Sequence, residues 1–366
     1  MKTGFVCHEK YMWHDTGHAA IFLPTIGYVQ PAEHAESPES KRRIRNLMEV
    51  SGLLDKVTII APRPALREEV LRYHTPEYID HLARLSADRG GDAGDGTPFA
   101  AGGYDIALLS AGGVLAAAEA VVDGMVDNAY ALVRPPGHHA EAGIGRGFCL
   151  LANAVLGIKH VRATRGIGRV AVVDYDVHHG NGTEHAFYED PDVLTISIHQ
   201  DNNFPPDSGA IGDIGRGRGK GYNINVPLPP GCGREAYRAT FDRVVVPAIT
   251  AFKPDMIVVP SGFDGGGYDP LGRMMLGSDD YRRFARTLKA LAADLCGGRL
   301  LFTHEGGYSA AHVPFCAHAV VEELCDAQER IEDPFMAILN GLGGHQLYPH
   351  QEAVIEAAAG LAAAIR

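Results

Sequence analysis

No two of the six cysteines stand in CxxC spacing; Cys7, Cys149, Cys232, Cys296, Cys316 and Cys325 are scattered along 366 residues. That argues against a closed, cysteine-rich structural zinc site. The chain opens Met-Lys-Thr-Gly-Phe-Val without a long apolar leader, so a reduced, cytoplasmic protein is expected. Long apolar runs are missing too: no stretch approaches the roughly 20 uninterrupted residues of a membrane helix, and no membrane partner is expected. Positive charge is scarce, with 33 Lys and Arg against 45 Asp and Glu and a formal net charge of −12, which argues against a nucleic-acid surface. Most of the exception, Lys41-Arg42-Arg43-Ile44-Arg45, is expected to be the solvated face of a helix continuing through Leu47 and Met48. Low-complexity tracts, internal repeats and Pro/Gly/Ser linkers are likewise lacking, so residues 1–366 read as a single domain.

What is present is a series of short apolar runs, each ending in a polar cluster. They cover 129–133, 170–173, 193–198, 256–259 and 300–303. Continuous rather than alternating hydrophobicity marks strands buried on both faces. Helical patterns separate them over 105–123, 234–252 and 278–296, the last with Ser278 as a candidate N-cap. The alternation predicts an α/β fold with a central, mostly parallel sheet flanked by helices, its ligands outside the carboxyl ends of the strands. The glycine-rich segments 89–103 and 211–221 read as surface loops. Neither heads a helix as a phosphate-binding loop would.

The polar clusters carry the chemistry. In Asp174-Tyr175-Asp176-Val177-His178-His179-Gly180-Asn181-Gly182, extended chain would point Asp174, Asp176 and His178 to one side, a set suited to a divalent metal. Asp264, in Ser-Gly-Phe-Asp after the run 256–259, completes two carboxylates and one histidine, leaving coordination positions for water and substrate. Adjacent His138 and His139, in Pro-Pro-Gly-His-His, suit acid–base work near neutral pH. Asp174 and Asn181 are natural partners for the two rings, the carboxylate making its imidazole the more basic. Glu305-Gly306-Gly307-Tyr308 could swing a phenol toward the metal as donor to a developing oxyanion, although packing alone would also explain Tyr308.

In this order, Gly-His-His, Asp-x-Asp-x-His-His-Gly-Asn-Gly, Gly-Phe-Asp and Glu-Gly-Gly-Tyr resemble the histone deacetylase family of the arginase/deacetylase fold, over roughly residues 37 to 315. Leu-Pro-Pro-Gly at 228–231 and Phe-Pro-Pro-Asp-Ser-Gly at 204–209 look like its class II branch and the bacterial histone deacetylase-like amidohydrolases. The resemblance implies Zn²⁺ on Asp176, His178 and Asp264, His139 as general base and then acid, His138 as its electrostatic partner, and Tyr308 polarising the carbonyl. Water would attack the amide directly, with no covalent acyl-enzyme. It also implies Phe148 and Phe204 as walls of an acyl-chain tunnel, and a structural K⁺ on Asp174, Asp176, His178, Ser197 and Ile198. A second monovalent site would fall around Phe187, Asp190, Val193 and Tyr222. An Asp₂His set is rich in oxygen, so Fe²⁺ or Co²⁺ would also suit it.

The expected partner is an acylated amine. Polyamine-selective relatives often place a glutamate where this chain has Leu271, after Asp269-Pro270, so an acyl-lysine substrate is favoured over an acetylpolyamine. Asp92 and Asp95 are candidate rim carboxylates. A ureohydrolase would need a second metal with further Asp and His ligands, and a catalytically silent acyl-binding module would have little use for the full set of ligands, histidines and tyrosine. Selectivity and any homo-oligomer contacts would reside in rim loops such as 11–27 and 89–103.

Overall fold

Each apolar run is a strand, and all five lie in one eight-stranded sheet of the computed structural model, which describes residues 1–365. In chain order the strands are β1 (Thr3–Val6), β2 (Thr58–Ile59), β3 (Asn128–Ala131), β4 (Val170–Asp174), β5 (Val193–Gln200), β6 (Asn223–Leu228), β7 (Met256–Ser261) and β8 (Leu300–His304). Across the sheet they run β6-β5-β4-β7-β8-β3-β1-β2, and every pairing is parallel. Three strands carry no comparable signal in the sequence. β1 and β2 are short, and β6 reads Asn-Ile-Asn-Val-Pro-Leu, its polar Asn223 and Asn225 buried and donating to Glu184.

Parallel strands need crossover connections, so helices cover both faces. On one face α1 (Glu39–Val50), the helical stretch 234–252, α5 (Ser278–Cys296) and α6 (Val313–Leu324) pack with Ala171 and Val173 of β4. On the other, α2 (Gly103–Val122) and α3 (Asn153–Arg165) pack with Val170 and Val172. The short α4 (Asn181–Phe187) follows the turn after β4. Helix α2 corrects one expectation, since it is long and apolar enough to cross a membrane by length and composition. Here it is a core helix, packed so closely that a Cβ at Gly112 would strike the backbone of Arg63.

Two local readings also change, and a third, the basic run, holds for its arginines but not for Lys41. Gly277, not Ser278, caps α5: its N–H donates to Asp280 Oδ2 at 3.0 Å, and Ser278 is the first helical residue. The glycine-rich segment 89–103 does lead into a helix, with Gly102 as N-cap of α2, but what precedes it is a small antiparallel pair with Phe99 buried. The basic run is split. Arg42, Arg43 and Arg45 pair with Glu39 and Glu49 near solvent, whereas Lys41 is 1% exposed with Nζ 3.0 Å from Glu36 Oε1.

Lys41 is drawn in because Glu36 is wholly buried and carries two cations. Arg134, at the start of the loop leaving β3, donates through Nε to both Glu36 oxygens at 3.0 Å, and its remaining nitrogens reach the carbonyls of Tyr11, His14 and Glu36. This buried trio fastens the segment 11–36 to the sheet. Burial alone would raise the Glu36 carboxyl, but Arg134 and Lys41 outweigh it and hold it well below the usual carboxylate range. The folded value is depressed, so the stabilisation is complete above the unfolded value of about 4.3 and lost as pH falls through the folded one. Glu36→Gln should therefore cost about 3–5 kcal/mol at neutral pH, because two cations stay buried without their anion. Urea unfolding at stepped pH should show that gap narrowing on acidification.

Candidate active site

The turns leaving β3, β4, β7 and β8 converge at one end of the sheet. Asp176 and His178 after β4, and Asp264 after β7, each offer a ligand atom, all within 4.8 Å of one another and all buried. His178 Nδ1 lies 3.0 Å from Asp176 Oδ1 and 3.1 Å from Asp264 Oδ2. Burial, then the Asp176 charge, push the Asp264 carboxyl up to about 7, and its Oδ2 has no hydrogen-bond partner among the described residues. Two carboxylates held together away from water, one with an orphaned oxygen, are a charge imbalance that a cation relieves. A Cβ at Gly306 would fall on the Asp264 and Asp176 oxygens, so glycine there keeps the space free. The three residues fit a divalent metal.

Asp174 does not join them. Extended chain ends at this residue, and its carboxylate turns to His138: Oδ2 is 3.0 Å from His138 Nδ1, while Oδ1 accepts the Asp176 N–H at 3.0 Å. His139 Nδ1 faces Asn181 Oδ1 at 2.8 Å. The amide orientation is fixed, because Asn181 Nδ2 donates to Glu141 Oε1 at 2.8 Å and to the His139 carbonyl at 3.3 Å. Asn181 thus presents only an acceptor to His139, so the ring proton sits on Nδ1 and Nε2 is left with a lone pair. The two imidazoles stand 3.9 Å apart and differ in basicity. Burial would lower His138, yet Asp176, Asp174 and Glu305 outweigh it and push it up to about 10. His139 is held well below its usual value by burial and by the charges of His138 and His178.

Tyr308 closes the group. Its ring stands edge-on to His178 at 6.5 Å and to Phe148 at 5.9 Å, and burial, then the charges of Asp264 and Asp176, keep its phenol protonated. His139, His178 and Tyr308 form the floor of a cavity of about 560 Å³ whose lining also includes Phe148, Phe204 and Leu271. Phe204 is edge-on to His139 at 5.0 Å. The outer lining comes from the two loops assigned to the rim: Thr16, His18, Phe22 and Pro24 from one, Asp92 and Asp95 from the other.

For the monovalent sites, the sheet register sets Asp174 opposite Ser197, with Ile198 next along β5, and Ser197 Oγ lies 2.9 Å from His199 Nδ1. Phe187, Asp190 and Val193 form one turn, in which Asp190 N donates to Phe187 O at 2.9 Å and Val193 N to Asp190 O at 3.4 Å. The Tyr222 carbonyl is nearby, accepting from Thr195 N at 2.9 Å.

Sequence reasoning missed two buried carboxylates. Glu305 accepts the N–H groups of Gly137 at 2.6 Å and His138 at 3.0 Å, tying the histidine loop to the tyrosine loop. Asp269, read only as a neighbour of Leu271, accepts from Tyr308 N at 2.7 Å. For Glu305 the available signal was a carboxylate placed just beyond a buried strand; Asp269 stands well past the end of β7 and carries no such mark.

The comparisons with known proteins agree with this geometry. A family profile described as "Histone deacetylase domain" matches residues 34–324. The histone deacetylase-like amidohydrolase of Pseudomonas aeruginosa is 47% identical over 336 residues, 91% of this chain and 88% of that one. Histone deacetylase 8 of Arabidopsis thaliana is 36% identical, covering 94% of this chain and 91% of its own. Among solved structures, the HDA15 HD domain superposes with a TM-score of 0.86 at 30% identity, over 99% of this chain and 94% of that chain. The chain belongs to the histone deacetylase family.

Proposed function

We propose that this chain is a zinc-dependent amidohydrolase that removes acetyl and related small acyl groups from N-acyl-lysine-type substrates. One observation carries the reading: a neutral His139 with a free Nε2 and a protonated Tyr308 line one aromatic-walled cavity together with His178, whose Nδ1 sits against the buried carboxylates of Asp176 and Asp264. Asp176, His178 and Asp264 would hold Zn²⁺, which when bound supplies a Lewis acid for the acyl oxygen and lowers the pKa of water. His139 Nε2 takes the proton of the attacking water and returns it to the departing amine. His138, charged and paired with Asp174, holds down the basicity of its neighbour and stabilises negative charge gathering at the carbonyl. The Tyr308 hydroxyl donates to that oxygen as the charge develops. Phe148 and Phe204 flank the alkyl chain, and apolar Leu271 gives a second cation nothing to pair with.

The reading extends to one catalytic domain over residues 1–366, a structural K⁺ on Asp174, Asp176, His178, Ser197 and Ile198, and a cytoplasmic setting supported by six free cysteines. Asp92 and Asp95 at the cavity mouth favour a second reading, hydrolysis of acetylated polyamines, whose distal ammonium groups they could meet.

Amine release from acetyl-lysine peptides and from acetylputrescine, with and without chelator, tests the assignment. Chelator-sensitive turnover of the peptides is expected, and turnover of polyamines alone would transfer the function to the second reading. Tyr308→Phe should lower kcat by about 10²–10³ with bound zinc unchanged. For the metal set, zinc should raise the melting temperature of the wild type but not of Asp264→Ala, since saturation at about 100 times Kd is worth roughly 2.7 kcal/mol. Leu271→Glu should raise the ratio of polyamine to peptide turnover, measured as kcat/KM on each.

A further inference from the structure

The segment that delivers Tyr308 contains Gly306-Gly307, and Gly307 has φ +122, a conformation glycine adopts without the strain of a side chain. A phenol on such a permissive segment takes its position from whatever holds the backbone. Gly306 is held on both sides, its N–H donating to Asp176 Oδ2 at 2.8 Å and its carbonyl accepting from Phe263 N at 3.0 Å. The Gly307 carbonyl accepts from Ser40 Oγ at 2.9 Å. Beyond the glycines, Asp269 takes over: its Oδ2 accepts from Tyr308 N at 2.7 Å and from Ser309 N at 3.3 Å.

The other Asp269 oxygen faces the cavity wall. Oδ1 accepts from Leu271 N at 2.9 Å, and the Leu271 carbonyl in turn accepts from Asn203 Nδ2 at 3.2 Å, next to Phe204. Asp269 is only 8% exposed and forms no ion pair with any Lys or Arg among the described residues. A buried carboxylate without a cationic partner is costly, and three backbone N–H groups are what this one receives in return. All three belong to segments that line the cavity or adjoin its lining.

We propose that Asp269 is a positioning residue that sets both the catalytic Tyr308 and the Leu271 wall, so that one carboxylate couples turnover to tunnel shape. The proposal rests on the role given to Tyr308 above. Asparagine in its place has a single acceptor oxygen, so one of the two segments loses its anchor.

The test compares zinc-loaded wild type, Asp269→Asn, Tyr308→Phe and the double variant on an acetyl-lysine peptide, with Asp269→Ser run in parallel in case the amide variant fails to fold by thermal melting. Asp269→Asn should lower kcat by about 10- to 100-fold with zinc content unchanged. In the Tyr308→Phe background the same change should cost less than about threefold, because the hydroxyl it positions is already gone. Wild-type kcat in Asp269→Asn, or full multiplication of the two losses in the double variant, would overturn the proposal. Should the wild type hydrolyse no amide at all, the functional reading fails, and the crystal structure of Asp269→Asn still decides the positioning claim. A Tyr308 ring displaced from His178 supports it; an unmoved ring sinks it.

Discussion

Everything at this end of the sheet answers to one electrostatic constraint, the crowding of four buried carboxyl groups: Asp174, Asp176, Asp264 and Glu305. No fold gathers such groups away from water without meeting their charge, since an unpaired carboxylate in a dry interior costs several kcal/mol or gives up its charge. The chain meets it in three ways. His138 takes a proton between Asp174 and Asp176, Glu305 is turned onto two backbone amides, and Asp176 with Asp264 is left to a cation. Each answer has a chemical use: a charged imidazole, a fixed histidine loop and a set of residues fit for a divalent metal follow from a single problem of charge.

The same constraint explains why the loops interlock. The turns at this centre spend their backbone donors on carboxylates of neighbouring turns, as when Val177 N reaches Asp264 Oδ1 at 2.8 Å and Gly306 N reaches Asp176 Oδ2 at 2.8 Å. Glu305 and Asp269 extend the pattern outward, and the Glu36–Arg134–Lys41 trio repeats it beneath the rim. Charges on one loop are thus satisfied by amides or cations from another, so no loop holds its geometry alone.

Much of this was legible in the sequence. Five strands announced themselves because a parallel sheet buries both faces, and the polar clusters at their ends supplied Asp176, His178, Asp264, His138, His139 and Tyr308, all of which meet in the structure. The pairing of Asp174 and Asn181 with the two histidines was also foreseen, since a carboxylate and an amide leave different marks on an imidazole. What escaped is what long-range contact decides. Nothing local says that Lys41 turns inward when Arg42 and Arg43 do not, because its partner Glu36 is buried by Arg134 from a distant part of the chain. Asn223 and Asn225 disguised the edge strand β6, their amides being spent on Glu184 in α4. Glu305 and Asp269 act through backbone amides, and an amide donor looks the same at every position in a sequence.

The place of β8 in the sheet has a consequence for biosynthesis. Among the described residues it is the last strand in the chain and the only bridge joining β2-β1-β3 to β6-β5-β4-β7, lying between β7 and β3. Until about residue 304 has left the ribosome, the growing polypeptide holds two half-sheets, each with a raw edge open to wrong pairing. Tyr308 follows four residues behind the strand that seals them. The event that closes the fold therefore also delivers the final group to the cavity, and a truncated product ending before it would carry Asp176, His178 and Asp264 without the phenol.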